Sequence, residues 1–287
     1  MAQPNSLVVG GSSVGGLYYV WAGGWANLVQ QNMDYRTTVE ATGGAAANIQ
    51  LVSAGDIDVG ITTMGALNAA LTGTGWADGN PIDNVRVLFP AYQSFLQYWS
   101  LKSSGLTNLK DISGHVFSPG TAGGTAAIES PAIFELLGVE PDNTIFIGYS
   151  DANGQLADGM LDVVAASTGV PAPQIADLQA SHEVSVLAID AADAKKVVEA
   201  MPYFAVGAIP AESYDDQPEP IPALALWNVF IVNADMSDEA VAELLKVTFD
   251  NTETLKSVHV SAADTQIENA GMINAPFHPA AASGRNG

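Results

Sequence analysis

Two glycine-rich loops recur 108 residues apart, each entered from a short apolar run and left through a helical pattern. The first run, Leu7 to Val9, leads into Gly10-Gly11-Ser12-Ser13-Val14-Gly15-Gly16. The second, Val116-Phe117, leads into Ser118-Pro119-Gly120-Thr121-Ala122-Gly123-Gly124-Thr125. Helical patterns follow over 18–31 and 126–137. Glycine supplies the positive φ angles of a tight strand-to-helix turn and bares the first-turn N–H groups. A second echo repeats at an offset of 104: Gly-x-x-Asp-Val begins at Gly55 and at Gly159, each time after a helical stretch and before an apolar strand. Strands alternating with helices predict parallel sheets. Two copies in the same order predict two similar α/β lobes.

The 287 residues also exceed what one core usually holds. Val85 to Leu88 and Phe95 to Leu101 read as extended, and Ala223 to Val232 as another long apolar strand. The proline-rich stretch through Pro210, Pro218, Pro220 and Pro222 reads as irregular. Ser237 is expected to cap a helix reaching about Ser257, with Asp238 and Glu239 in its dipole-favoured first turn. The chain is therefore expected to cross between lobes near residues 92 and 222. Residues 1–93 with 222–287 make one lobe, 94–221 the other, and a ligand cleft lies between them.

Charge and composition close off several functions. With 31 acids against 9 bases, the chain lacks the cations that nucleic acid or an anionic membrane surface would need. The absence of cysteine removes disulfides, thiolate metal sites and thiol catalysis. No run approaches the roughly 18–20 apolar residues of a spanning helix. So acidic and lysine-poor a surface suits a salty, halophile-like medium. The start, Met1-Ala2-Gln3-Pro4 and then Leu7-Val8-Val9, shows no signal-peptide pattern. That fits a cytosolic chain, or a mature chain given a new start methionine.

Gly11-Ser12-Ser13-Val14-Gly15 matches the G-x-S-x-G of serine hydrolases. It follows the first strand, however, so no earlier strand remains to supply the second oxyanion N–H. The candidate bases His182, His259 and His278 have no distinctive context. Neither glycine loop contains G-x-G-x-x-G and no Gly-Lys-Ser/Thr occurs, which argues against nucleotide binding. No metal-ligand spacing is present, and no cofactor is expected. What remains is binding: bare N–H groups with the small hydroxyls of Ser12, Ser13, Thr121 and Thr125 hold a small anion without lysine or arginine. Such loops lie beyond the carboxyl ends of strands, where ligands sit in open α/β sheets. Tyr18, Tyr92 and Trp227 are candidate cleft aromatics. Of the bases, only Arg36, Arg86 and Lys102 lie near the cleft segments. Arg36 opens a strand on the far side from the loops and Lys102 lies past the crossing, so neutral donors, with the amide of Asn48 among them, are expected to hold the ligand.

In order along the chain, GGSSVGGLYY (10–19), EATGGAAAN (40–48), LVSAGDIDVG (51–60), the loop 119–125, the segment 157–173, ALWNVF (225–230) and PFHPA (276–280) resemble the TAXI-type substrate-binding proteins of TRAP (tripartite ATP-independent periplasmic) transporters. The resemblance implies an α/β fold of the two-lobed, type II periplasmic-binding-protein kind, with two parallel-type sheets flanked by helices and a hinge. It implies a non-enzymatic, monomeric protein of the periplasm, made with a signal peptide. Such a protein closes on a small organic acid, often glutamate or 2-oxoglutarate, and hands it to a sodium-driven membrane permease. It adds Thr42, Gly43, Thr62, Thr63, Gly120, Gly123, Ser167 and Gly169 to the expected ligand contacts. Departures from the pattern at Leu17, Ala45, Thr62 and Ala122 lose hydroxyls and shorten an amide. At about 1 kcal/mol per lost hydrogen bond, they favour a bulkier or less polar acid. A ligand-sensing domain of the same fold is the alternative, although sensors usually carry a DNA-binding or membrane segment.

Overall fold

The computed structural model describes residues 5–283, so the Met1–Pro4 reading lies outside it. Two compact units emerge. The first takes in the chain up to Ser12, Tyr18–Gln93 and everything from Trp227; the second takes in Ser13–Leu17 and Ser94–Leu226. In the first unit β1 (Asn5–Gly10) leads through a glycine loop to α1 (Leu17–Asn32), followed by β2 (Tyr35–Glu40), α2 (Ala45–Ala54), β3 (Val59–Thr63) and α3 (Met64–Thr72). Strand β1 pairs in parallel with both β2 and β3. Helix α1 inserts Trp21 and Trp25, both wholly buried, into an aromatic core. Trp21 stacks on Tyr92 with ring centres 5.6 Å apart, and Phe89 stacks on Phe230 at 4.5 Å. Trp25 also donates to the hydroxyl of Thr248 at 2.8 Å, so its N–H is not left unpaired in the core.

The long strand β4 (Val85–Leu101) carries the chain into the second unit. There follow β5 (Val116–Ser118), α4 (Thr125–Leu137), β6 (Asn143–Thr144), α5 (Tyr149–Ala157), β7 (Val163–Thr168), α6 (Pro173–Gln179), β8 (Val184–Val186), α7 (Ala191–Ala200) and β9 (Ala205–Ile209). Strand β10 (Ile221–Asn233) then leads back to the first unit, which ends with α8 (Asp238–Asp250), α9 (Thr252–Val258) and α10 (Pro279–Ser283). Strand β5 runs parallel to β6 and β7, while β4 is antiparallel to β7 and β8. Alternation along β4 and β7 feeds two cores: Leu96, Tyr98, Val163 and Ala165 enter one, and Trp99, Val164 and Ala166 the other.

The internal echo holds at the level of single hydrogen bonds. Gly16 N donates to Ser13 O at 3.0 Å, and its counterpart Gly124 N donates to Thr121 O at 2.9 Å. Asp58 accepts from Val8 N at 2.7 Å and Asp162 from Val116 N at 2.8 Å, so each Gly-x-x-Asp-Val clamps a helix exit to the neighbouring strand. Gly55 caps the first exit at φ 79°, and Gly159 turns the second at φ 72°, one residue past the Asp158 cap.

Four expectations need correction. The sheets are mixed rather than parallel, because the strands linking the units run antiparallel to their neighbours; β10 against β3 is one case. Residues 85–101 form one strand running through Pro90, whose fixed φ suits extended backbone and which lacks only a donor. Pro222 is not irregular but the second residue of β10, opposite Ala208. The helix capped by Ser237 stops at Asp250, and a separate α9 starts at Thr252 after the non-helical Asn251.

Candidate ligand-binding site

In the first unit, the residues behind the glycine loop are tied into the scaffold. Asn48 is fully buried. Its amide donates to Gly11 O at 2.8 Å and to Ile61 O at 2.7 Å, and its oxygen lies 2.7 Å from the Thr42 hydroxyl. That hydroxyl also lies 2.9 Å from Gly11 O and accepts from Gly44 N at 3.1 Å. Asn48 packs so tightly that a Cβ on Gly10 would meet its oxygen at 2.7 Å. Thr62 donates to Ala45 O at 3.1 Å, and Thr63 caps α3 by accepting from Ala66 N at 3.3 Å. Tyr18 donates to Asn228 at 2.5 Å, and Asn228 in turn donates to Tyr92 O at 3.0 Å. Ser12 is buried with its carbonyl accepting from Thr42 N, Gly43 sits half-buried before α2, and Trp227 is half-buried on β10. These groups set the shape of the loop.

In the second unit, the loop 119–124 at the end of β5 turns into α4, whose first residue Thr125 is buried. Gly120 has φ 81°, and a Cβ there would lie 2.7 Å from the ring of Tyr149, so glycine is required twice over. Thr121 and Gly123 are half-buried at the turn, as is Ser13 in the equivalent turn that packs with this unit. Tyr149 opens α5 with only 9% of its surface exposed, and burial pushes its phenol up to about 12.

The loop after β7 is braced from beneath. Gln97 donates to Thr168 O and Gly169 O, both at 3.3 Å. Its oxygen accepts from Tyr214, which accepts from Ala172 N at 2.9 Å. Burial raises the Tyr214 phenol, which keeps it a donor. Ser167 shares a 2.8 Å hydrogen bond with Ser94. The buried Thr168 hydroxyl, by contrast, has no hydrogen-bond partner.

Gln97, Tyr149, Gln174 and Tyr214 were absent from the sequence-derived set. Only Tyr149 had a signal, since it stands 104 residues after Ala45 as the first residue of the echoed helix.

The bases are engaged elsewhere. Lys102 pairs with Asp216 and Lys110 with Asp193, Arg36 is exposed on β2, and the Arg86 guanidinium donates to Asp83 O and Val85 O. The candidate general bases also have other partners: His182 meets Ser181, His259 meets Ser261 and His278 meets Met236 O. Among the described residues no cluster of three or more acids or histidines is arranged to hold a metal, and no helix is long and apolar enough to cross a membrane.

The model of the NMT1-like family matches residues 9–283. The chain belongs to the NMT1-like family. Solved structures agree on the fold. The periplasmic binding protein BugD superposes with a TM-score of 0.60 at 13% identity, covering 94% of this chain and 95% of its own. The periplasmic aliphatic sulphonate binding protein SsuA of Escherichia coli gives 0.50 at 15%, covering 98% and 82%. The regulatory domain of CcmR from Synechocystis PCC6803, solved with 2-PG, gives 0.51 at 12%, covering 85% and 97%. This NMT1-like chain therefore has the α/β fold of periplasmic solute-binding proteins, and no enzyme family is indicated.

Proposed function

We propose that this protein is an extracytoplasmic solute-binding protein of the TAXI type. It captures a small organic acid, less polar than glutamate or 2-oxoglutarate, and delivers it to a sodium-coupled TRAP permease. The observation that carries the reading is the neutral character of the second unit's loops. Glycine N–H groups, the α4 start at Thr125 and the Tyr149 phenol converge at strand ends, while the unit contains no arginine and each of its four lysines has a carboxylate partner. Uncharged donors suit a carboxylate that must be released again, because a buried ion pair would hold it with less give. The two units act as the lobes of a clamp hinged on β4 and β10, and the acidic surface suits molar salt.

The test is mass spectrometry of small molecules released by denaturing freshly purified protein, followed by calorimetric titration with the acids found. Thr125→Val, which keeps shape and deletes a donor, is expected to cost about tenfold in affinity. Recovery of no acid, together with failure of every acid tried to bind, would remove the reading. The likeness to a regulatory domain favours a second reading as a ligand sensor. Sodium-driven uptake by vesicles carrying the cognate permease, dependent on added protein, separates transport from sensing.

A further inference from the structure

In the second unit, β5 and β7 are parallel neighbours, and the loops 119–124 and 169–172 leave their carboxyl ends, where ligands sit in open α/β sheets. Two side chains remote in sequence hold the loop after β7. Gln97, buried on the β4 face opposite Tyr98, donates to Thr168 O and Gly169 O. Tyr214 joins the oxygen of Gln97 to the N–H of Ala172. Yet the Thr168 hydroxyl, wholly buried at the root of the same loop, has no partner. Buried polar groups are bonded in the great majority of cases, so a loop settling on its own bonding would pair that hydroxyl. Its position is imposed by the brace. The segment that carries Tyr214 is held in its turn: Gln217 accepts from Ser213 N and Tyr214 N and donates to Pro210 O and Glu219 O. Glu212 and Asp216, on either side of Tyr214, take left-handed φ values of 61° and 54°, which residues other than glycine rarely adopt. Such strain persists only where the surroundings fix it, and it gathers at functional sites.

We propose that Tyr214 and Gln97 are positioning residues of the ligand site: through one hydrogen-bonded relay they set the place of Thr168, Gly169 and Ala172, and so decide how tightly ligand is held. The inference rests on the organic-acid reading above and adds to it residues that act on the ligand only through the loop. The relay has one workable polarity. Ala172 N donates to the phenol oxygen, so the single phenol proton goes to the Gln97 oxygen, and the Gln97 N–H groups are left to face the two loop carbonyls. A flipped amide would set its oxygen against both carbonyls. Burial pushes the Tyr214 phenol up, so the relay keeps its proton across the physiological range. Ser167 and Gly169, expected ligand contacts, lie on either side of Thr168, so a shift of this loop moves both.

The experiment is calorimetric titration of the intact protein, well below its melting temperature, with straight-chain mono- and dicarboxylates of two to eight carbons. Tyr214→Phe keeps the ring in its core and deletes the middle of the relay, and Gln97→Met deletes the other half. Each should weaken binding of the acids that the wild type binds by about tenfold. The double variant should lose little more than either alone, because the two act through one relay. Tyr98→Phe is the control: it removes a buried hydrogen bond with Ser130 on the opposite face of β4, and should lower the melting temperature while affinity stays in place. Full affinity in Tyr214→Phe and Gln97→Met, with only their melting temperatures lowered, would overturn the inference alone. A loss of affinity in Tyr98→Phe equal to that in Tyr214→Phe would do the same. A wild type that binds no acid of the panel would bring down the organic-acid reading and this inference with it.

Discussion

In the first unit, the polar side chain behind the glycine loop is Asn48, whose two amide protons and oxygen are all engaged by the protein. In the second unit, the echoed helix opens with Tyr149 where the first has Ala45, and the buried amide oxygen of Gln174 has no hydrogen-bond partner. The same strand–loop–helix module has thus been finished in two ways. One copy spends its hydrogen bonds on holding the loop rigid. The other keeps them in reserve and relies on close packing, with the Tyr149 ring seated on Gly120. A duplicated motif therefore predicts shared backbone, not shared chemistry.

The largest expected effect tests the rigid half. Asn48→Leu removes three buried hydrogen bonds, to Gly11 O, Ile61 O and the Thr42 hydroxyl, and leaves Gly11 O and Thr42 only their bond to each other and that from Gly44 N, at about 3–4 kcal/mol in sum. Denaturant unfolding checks this. A loss below about 1 kcal/mol would show that Asn48 does not brace the loop and return it to the set of ligand donors.

The next effect is confined to the second unit. Glu129 on α4 is 3% exposed, and burial raises its carboxyl from the usual 4.5 to about 7, although Tyr203 donates to it at 2.7 Å. The folded state holds this proton more tightly than the unfolded chain does. Its stabilisation is therefore complete below pH 4.5 and is lost as pH rises through about 7. The loss amounts to about 3 kcal/mol. Melting curves from pH 4.5 to 8 should show a fall in the wild type that is flattened in Glu129→Gln. Parallel curves would deny the buried proton.

These contrasts also mark what the sequence could and could not reveal. The glycine loops and the repeated Gly-x-x-Asp-Val turns were legible because turn φ angles demand glycine, whereas the bonds of Asp58 and Asp162 to the neighbouring strand were not. Pro90 within β4 and Pro222 within β10 were not, because a proline's fit in a strand depends on which neighbour needs its missing N–H. The break at Asn251 was hidden inside a continuous helical pattern. Asn48 read as a ligand donor because an amide's partners are set by packing: Gly11 and Ile61 lie far from it along the chain. Gln97, Gln174 and Tyr214 gave no signal for the same reason.

The two loops can be compared by one substitution. Gly120→Ala meets both a φ of 81° and the Tyr149 ring, so it should cost about 2 kcal/mol. Gly15→Ala, at φ 87° with nothing within 4 Å of the new Cβ, meets only the backbone strain and should cost about 1 kcal/mol. Equal losses would mean that Tyr149 yields readily and does not define the second loop.

The smallest effect concerns charge. All six lysines sit in ion pairs, yet these engage just five of the 31 acids. The second unit holds 17 acids against 4 bases and the first 14 against 5, giving net charges of -13 and -9. Self-repulsion grows with the square of charge, so for units of similar size it is about twofold greater in the second. Raising salt from about 10 mM to 1 M shortens the screening length from about 30 to 3 Å and removes most of that repulsion. Both units should gain stability, by about 1 kcal/mol or less, and the second should gain more. Hydrogen exchange resolves the two when the slowest amides of β1 and β3 are followed beside those of β5 and β7. A larger slowing of exchange on adding salt in β5 and β7 than in β1 and β3 is the expected result. An equal response would place the dominant repulsion within local acid clusters rather than in the net charge of each unit.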